Sequence, residues 1–124
     1  MPLDADLLAL LLDAAEGLPF VEERRMFAGR GLWVKDRIFA LVYRGRIVLK
    51  LTEPGLAAKL RALDGAGPFM PGRKRRTAGF SAWIETPEWF GDDPHELRRW
   101  TALAHDLALR APPPARKKKR GRPA

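Results

Sequence analysis

The first apolar pattern in the chain is that of one face of a helix. Leucines at 7, 8, 11 and 12 and an alanine at 15 recur at intervals of three and four residues, which is the spacing of an amphipathic helix. Asp4 is placed to cap the first turn, and Gly17 is placed to end the last one. The pattern therefore predicts a helix from Asp4 to about Glu16, whose broad apolar face must pack on another element.

From Arg25 onward the apolar spacing changes to two, which is the period of an extended strand. Three such segments follow one another, MFAGRGLWV, RIFALVY and RIVLKL, and they are separated by Lys35-Asp36 and Arg44-Gly45. These short polar separators favour tight turns, so the three strands are predicted to form an antiparallel meander. In the third segment Ile47, Leu49 and Leu51 face one side of the strand, and Arg46, Val48 and Lys50 face the other. This alternation predicts a sheet with one covered face.

A short second helix and further strands are predicted after the meander. Thr52 or Glu53, followed by Pro54, begins the helix, and Gly65 ends it. Three leucines, at 56, 60 and 63, share one side of this helix. The stretch GPFMPGRKRRTAG predicts a short strand or bend followed by a basic loop, and FSAWIETP predicts another strand.

The final helix has the clearest boundary signals. Asp93 is an N-cap, Pro94 occupies the first helical position and Glu96 stands three residues after the cap, which together predict a capping box. Apolar residues at 97, 100, 103, 104 and 107 share one face. Three prolines at 112–114 end the helix and lead into the last segment of the chain.

This order of elements predicts an α+β fold, with an antiparallel β-sheet (the meander plus further strands) packed with about three α-helices. We expect a single domain over residues 1–111 and a disordered tail rich in Pro, Lys and Arg over residues 112–124. No apolar stretch approaches the roughly 20 residues that cross a bilayer, so neither a membrane anchor nor a signal peptide is expected. The chain has no cysteine, which fits a cytoplasmic location and excludes thiolate chemistry.

Positive charge is concentrated in two short segments. Of the formal net charge of +8, the tail supplies +6, while the rest of the chain has 17 basic and 15 acidic residues. The six tail cations are Arg116, Lys117, Lys118, Lys119, Arg120 and Arg122. A second, smaller patch consists of Arg73, Lys74, Arg75 and Arg76. Localised positive charge predicts a polyanionic partner, of which nucleic acid is the obvious one.

The tail carries the most specific motif. Arg120, Gly121, Arg122 and Pro123 resemble the core of an AT-hook. The glycine lets the backbone press to the floor of the narrow minor groove, the two arginines reach along it, and the proline favours an extended exit. A·T-rich grooves have enhanced negative potential, so they are the expected target, with the preceding cations on phosphates. Binding through all six tail cations loses about a thousandfold in affinity between 50 and 200 mM salt, so the tail alone predicts weak binding.

Catalytic chemistry is not indicated. The stretch FAGRGLW contains two spaced glycines but lacks the Gly-Lys-Ser/Thr end of a phosphate-binding loop. We therefore expect these glycines to form a β-bulge in a strand. His95 and His105 point in different directions on one helix, and Ser81 is the only serine. Capping and solvation explain the acids, which are Glu85, Glu88, Asp92 and Asp93. We therefore expect no enzyme, no metal site and no cofactor.

Four stretches resemble the TfoX N-terminal domain family, which is named for a regulator of bacterial natural competence. They are RRMFAGRGLW at 24–33, FALVYRGRIVLK at 39–50, PFMPGRKRRTAGFSAW at 68–83 and DDPHELRRWTALAHDLA at 92–108. The resemblance implies an α+β domain that takes part in transcriptional control of DNA-uptake genes without catalysis. The chain departs from the family at Ala28, where a glycine is usual, and at Phe80 and Trp83, where tyrosines are usual.

Several assignments stay open at this level. The basic patch at 73–76 lies between aromatics at 69, 80, 83, 89 and 90, a composition that suits phosphates and unpaired bases, but core packing also explains the aromatics. Arg24 and Arg25 belong either to a salt-bridged strand start or to a partner surface. A protein partner in transcription and a homodimer also stay open. The alternative to a DNA-associated regulator is a protein-interaction module with an incidental solubilising tail.

Overall fold

A computed structural model describes residues 4–26, 29–69 and 82–111, except for the side chain of Met26. Its helices are α1 (Asp4–Ala14), α2 (Pro54–Arg61) and α3 (Pro94–Arg110), with a short 3-10 helix at Glu88–Asp92. Its strands are β1 (Val21–Met26), β2 (Gly29–Val34), β3 (Arg37–Tyr43), β4 (Arg46–Lys50), β5 (Gly67–Pro68) and β6 (Trp83–Glu85). None of the described helices is long and apolar enough to cross a membrane.

The strands form one sheet in the order β1-β2-β3-β4-β6-β5. Every neighbouring pair is antiparallel, so the predicted α+β fold and its meander are confirmed. Strand β1 was not predicted: the single strand expected over MFAGRGLWV corresponds to β2 and to the last residue of β1. The exposed Glu22, Glu23, Arg24 and Arg25 give β1 no apolar alternation. An edge strand buries little on either face, and for that reason its sequence carries little pattern.

The main core lies between the sheet and the helices. It includes Leu7 and Leu11 of α1, Leu97 and Trp100 of α3, and apolar residues of β2, β3, β4 and β6. A β-bulge adapts β3 to α3: Leu32 lies opposite Ala40 and Trp33 opposite Ile38, so that Phe39 is the extra residue. Phe39 is fully buried, and its ring meets that of His105 edge-on at 5.2 Å.

A second, smaller core covers the opposite face of the sheet. Leu41 and Val48 are completely buried there beneath Phe69 and Trp83, and the ring of Tyr43 meets Phe69 edge-on at 5.5 Å. The prediction of one covered face was therefore wrong. Val48 alternates with Arg46 and Lys50 in the sequence, and only the return of the chain through β5 and β6 covers it.

Capping explains most of the helix boundaries. The Glu53 carboxylate accepts from Leu56 N–H at 2.8 Å, and Asp93 accepts from Glu96 N–H at 3.2 Å, as predicted. The capping box is only half formed, because the Glu96 carboxylate accepts instead from the Trp100 indole at 3.2 Å. Asp4 binds the backbone N–H of Gly45 at 2.7 Å, and this bond ties the start of α1 to the β3–β4 turn.

The glycines of the FAGRGLW stretch make room for neighbours. The bulge lies in β3, opposite Leu32 and Trp33, so the expected bulge at the glycines themselves was wrong. A β-carbon on Gly29 would lie 2.0 Å from the carbonyl oxygen of Val42, and one on Gly31 would lie 2.7 Å from the ring of Trp33. Close approach of β2 to β3 therefore requires glycine at position 29.

The substitution Gly29→Ala is expected to lower the free energy of unfolding by about 1–3 kcal/mol, because β2 must move away from β3 to admit the methyl group. Gly67→Ala is the matched control, since a β-carbon there would meet nothing within 4 Å, and its effect should stay within about 0.5 kcal/mol. Urea unfolding of both variants measures the difference. Equal losses in the two variants would contradict the close-approach explanation.

Candidate nucleic-acid interface

The residues predicted to bind DNA all lie outside the described residues. This holds for the tail residues Arg116, Lys117, Lys118, Lys119, Arg120, Gly121, Arg122 and Pro123, and for the patch Arg73, Lys74, Arg75 and Arg76. The described residues include all 15 acidic residues of the chain but only 13 of its 23 basic ones. The described part of the protein is thus slightly acidic, and the whole positive excess belongs to segments 70–81 and 112–124.

Segment 70–81 is attached to the second core at both of its ends. The residue before it, Phe69, is 1 % exposed and donates its N–H to the carbonyl oxygen of Trp83 at 3.2 Å. The residue after it, Ala82, accepts from the N–H of Leu51 at 2.7 Å. The two residues that flank segment 70–81 therefore lie beside the C-terminal end of β4.

The tail starts from the same part of the molecule. Helix α3 is followed by Ala111, which lines a hollow of about 300 Å³ together with Trp33, Lys50, Thr52 and Leu107. Lys50 and Thr52 flank Leu51, the residue that binds Ala82. We call the region formed by Trp33, Lys50, Thr52, Ala82 and Ala111 the Lys50 corner. Both basic segments are attached to the domain there.

Lys50 and Arg37 are the cations that line this hollow, and Lys50 is the one that lies beside Trp83. Its side chain is half-buried, and its ammonium nitrogen lies 5.6 Å from the ring centre of Trp83, a favourable cation–π geometry. Among the described residues no carboxylate forms an ion pair with it. Burial lowers the pKa of Lys50 below its ordinary value of 10.5, because it disfavours the charged form.

Sequence reasoning did not single out Lys50. The alternation of β4 places Lys50 on the face opposite Ile47 and Leu49. The sequence could therefore have predicted on which face of the sheet Lys50 lies. Nothing local to the sequence shows that Trp83 and Ala111 come to lie beside it.

Other cations on this face of the sheet are neutralised inside the chain. Arg24 lies 5.3 Å from the ring centre of Trp33 and pairs with Glu22 and with Asp36, the latter at 2.9 Å. Arg46 pairs at 3.4 Å with Glu85 and at 3.5 Å with Glu88. Such pairs leave little net attraction for phosphate, so these two arginines do not extend the Lys50 corner.

The aromatics around the basic patch mostly belong to the core. Phe69, Trp83 and Phe90 are 1 %, 6 % and 1 % exposed, so their faces are not available for stacking on bases. Trp89 is 40 % exposed, but it lies on the 3-10 helix and its indole donates to the carbonyl oxygen of Asp64 at 2.8 Å. The structure therefore favours the core explanation for these rings, while Phe80 lies outside the described residues.

The two histidines have unrelated surroundings. His105 is buried, and its Nε2 donates to the carbonyl oxygen of Pro19 at 2.8 Å, a bond that ties α3 to the segment before β1. His95 is exposed in the first turn of α3. Within residues 4–26, 29–69 and 82–111, no group of three or more His, Cys, Asp or Glu side chains could hold a metal ion.

The described residues define an α+β domain whose antiparallel sheet carries its helices on one face and has two basic segments attached at one corner. The chain belongs to the TfoX N-terminal domain family, which matches residues 13–108. The resemblance drawn from the four sequence stretches is thereby confirmed, and the family suggests a competence-related regulatory role. A search of curated proteins found no match.

The lowered pKa of Lys50 predicts a pH-dependent stability. Just below pH 10.5, its ordinary pKa, the unfolded chain binds this proton more tightly than the folded chain does. The free energy of unfolding therefore gains a contribution that rises with pH in that window. Lys50→Met removes the contribution, so the difference from the parent protein should be largest at neutral pH and should shrink towards pH 10.5.

Urea unfolding at a series of pH values measures this effect. Lys59→Met, which removes the same charge from an exposed site, is the matched control. A Lys50→Met profile that coincides with the Lys59→Met profile would contradict the assignment.

Proposed function

We propose that this protein is a non-enzymatic, DNA-associated regulator that uses its basic tail as a minor-groove tether. The observation that carries the proposal is the Lys50 corner, where both basic segments are attached to the domain. The regulatory part of the proposal follows from the family, and a cytoplasmic location is part of it because the partner is DNA.

The partition of charge supports a DNA contact made by the two segments. The described residues have 13 basic and 15 acidic side chains, so their net charge gives no attraction to a polyanion. The ten remaining basic residues belong to segments 70–81 and 112–124. The first segment lies between Phe69 and Ala82, and the second follows Ala111. Two contacts that share one attachment region act at a high effective concentration relative to each other, so together they bind more tightly than either alone.

Lys50 adds a cation of the domain itself, beside the described residues that flank the two segments. A phosphate at this corner would find an ammonium group that has no carboxylate partner among the described residues and is held over Trp83. Its partial desolvation strengthens an interaction with an incoming anion, since water competes less there. The domain thus positions the tail and contributes one phosphate contact, while the tail supplies the groove contact.

A DNA-binding comparison tests this proposal. Full-length protein and residues 1–111 are titrated with A·T-rich and G·C-rich duplexes between 50 and 200 mM salt. Full-length protein should prefer the A·T-rich duplex, and its affinity should fall about a thousandfold across the series, because six tail cations that displace counterions from DNA give a slope near −0.9 each. Residues 1–111 should bind weakly and without preference. Negligible binding by both proteins at low salt would overturn the proposal, and A·T preference retained by residues 1–111 would assign the recognition to the domain.

The order of residues in the tail should matter as well as its charge. Gly121→Val is expected to reduce the A·T preference more than Lys118→Ala does, because a side chain at position 121 keeps the backbone off the groove floor. The matched control combines Arg120→Gly with Gly121→Arg, which keeps the composition and the charge but destroys the Arg-Gly-Arg order. Fluorescence anisotropy with the same duplexes measures all three. A loss of binding in Lys118→Ala alone, with Gly121→Val and the exchanged variant unchanged, would indicate a plain charge contact instead of a hook.

A protein-interaction module is the second candidate, and one observation favours it. A cleft of about 610 Å³ lies between α1 and the 3-10 helix and is lined by Leu7, Leu10, Ile47 and the 40 % exposed Trp89. Half-exposed tryptophans in clefts are common anchors for protein partners. This reading is favoured over DNA association if both proteins in the duplex titration fail to bind.

A further inference from the structure

Within the described part of the chain, strand β1 is an open edge of the sheet. It pairs with β2 on one side, and no backbone hydrogen bond links its other side to any described residue. A six-residue edge strand presents unpaired N–H and C=O groups at regular spacing, which is a template for adding another strand.

The charges on this edge alternate in a defined way between the two faces of the sheet. Glu22 and Arg24 lie on the face opposite the helices, together with Trp33 and Asp36. Glu23 and Arg25 lie on the helix face, where Arg25 lines a hollow with Asp4 and Leu8 of α1. Each face thus carries one acid followed by one base, two positions apart, which is a self-complementary pattern for an antiparallel partner.

Among the described residues, Arg25 is the charged residue of β1 that no ion pair neutralises. It lies directly opposite Arg30 in the β1–β2 pairing, and among the described residues it forms no ion pair of its own. Arg30 pairs with Glu23 at 3.4 Å. Like charges at directly opposed positions of a sheet destabilise it, so this position would gain from a carboxylate supplied on the open side of the strand.

A second copy of the chain supplies that carboxylate in one register. When two β1 strands pair antiparallel around a two-fold axis at Arg24, Glu23 of each copy stands opposite Arg25 of the other, on the helix face. The two Arg24 side chains face each other at the axis, but each is already held by Glu22 and Asp36 of its own chain. A register centred on Glu23 is less favourable, because it opposes two Glu23 carboxylates and leaves Arg25 opposite Val21.

We propose that two copies of this protein associate through their β1 edges, antiparallel and centred on Arg24, into one continuous sheet. The interface is isologous, so each favourable contact occurs twice. Two exchanged Glu23–Arg25 pairs and the edge hydrogen bonds hold it together. A strand pair of this length buries less than the roughly 1,200 Å² of stable complexes, so we expect a weak dimer with a dissociation constant on the order of micromolar.

A charge-reversal series on the full chain tests the pairing. Arg25→Glu places two carboxylates opposite each other at both symmetric positions and should weaken dimerisation about tenfold or more. The double variant Glu23→Arg with Arg25→Glu restores opposite charges across the interface. This variant also keeps a carboxylate opposite Arg30 within the chain. Its dissociation constant for the dimer should therefore return to within about threefold of that of the parent protein. Sedimentation equilibrium over a range of concentrations measures all three proteins, and circular dichroism checks that each is folded.

Disulfide trapping tests the register independently, because the chain has no native cysteine. Directly opposed residues of an antiparallel pair have Cα atoms about 4.5–5.5 Å apart, within the range that a disulfide spans. Arg24→Cys should therefore form a covalent dimer rapidly under mild oxidation. Glu23→Cys is the matched control, since its two copies would be diagonal neighbours, too far apart for ready closure.

The proposal is overturned if the parent protein stays monomeric at millimolar concentration, or if the double charge reversal fails to recover the loss caused by Arg25→Glu. Faster trapping of Glu23→Cys than of Arg24→Cys would overturn the register centred on Arg24. None of these measurements involves DNA, so the dimer and the proposed DNA association stand or fall separately.

Discussion

The structure depends on burying both faces of its two central strands. Strands β3 and β4 carry Ala40, Val42, Ile47 and Leu49 towards the helices, and Leu41 and Val48 towards the opposite side. Strands that are apolar on both faces are stable only when both faces are covered. The helices α1 and α3 cover one face, and the chain must return through Phe69 and Trp83 to cover the other.

This requirement fixes the position of the charged parts of the chain. Because Phe69 and Trp83 fill the second core, the residues that flank the basic segment lie at that face. Because α3 packs across the sheet against Phe39, its last residues come to lie near Lys50 and Trp33. Packing of apolar side chains therefore decides that two basic segments far apart in sequence are attached at one corner.

The charged edge strand has a different origin. Strand β1 contributes little to either core, so its side chains are not constrained by burial, and its charges are arranged by their partners. Arg24 is satisfied by Glu22 and Asp36, whereas Arg25 faces Arg30. Sequence alone left these two arginines undecided between an intrachain salt bridge and a partner surface. The structure assigns Arg24 to the salt bridge, and pairing of two copies through Arg25 would give each dimer two sets of basic segments.

The sequence by itself determined the elements that local interactions define. The N-caps at Glu53 and Asp93, the turn at Arg44-Gly45 and the leucine spacing of α1 all predicted elements that are present, because each depends on neighbours within a few residues. The sequence also showed where the net positive charge lies, since that is a matter of composition.

Only the tertiary structure decided what distant residues do to one another. Val48 is buried and the register shifts at Phe39 only because of packing between strands and helices. The same packing requires glycine at position 29 and places Lys50 beside Trp83 and Ala111. It also turned Glu96 from its predicted cap towards Trp100. The reason is physical: these contacts join residues on separate strands and helices, so they exist only once packing has set the distances between those elements.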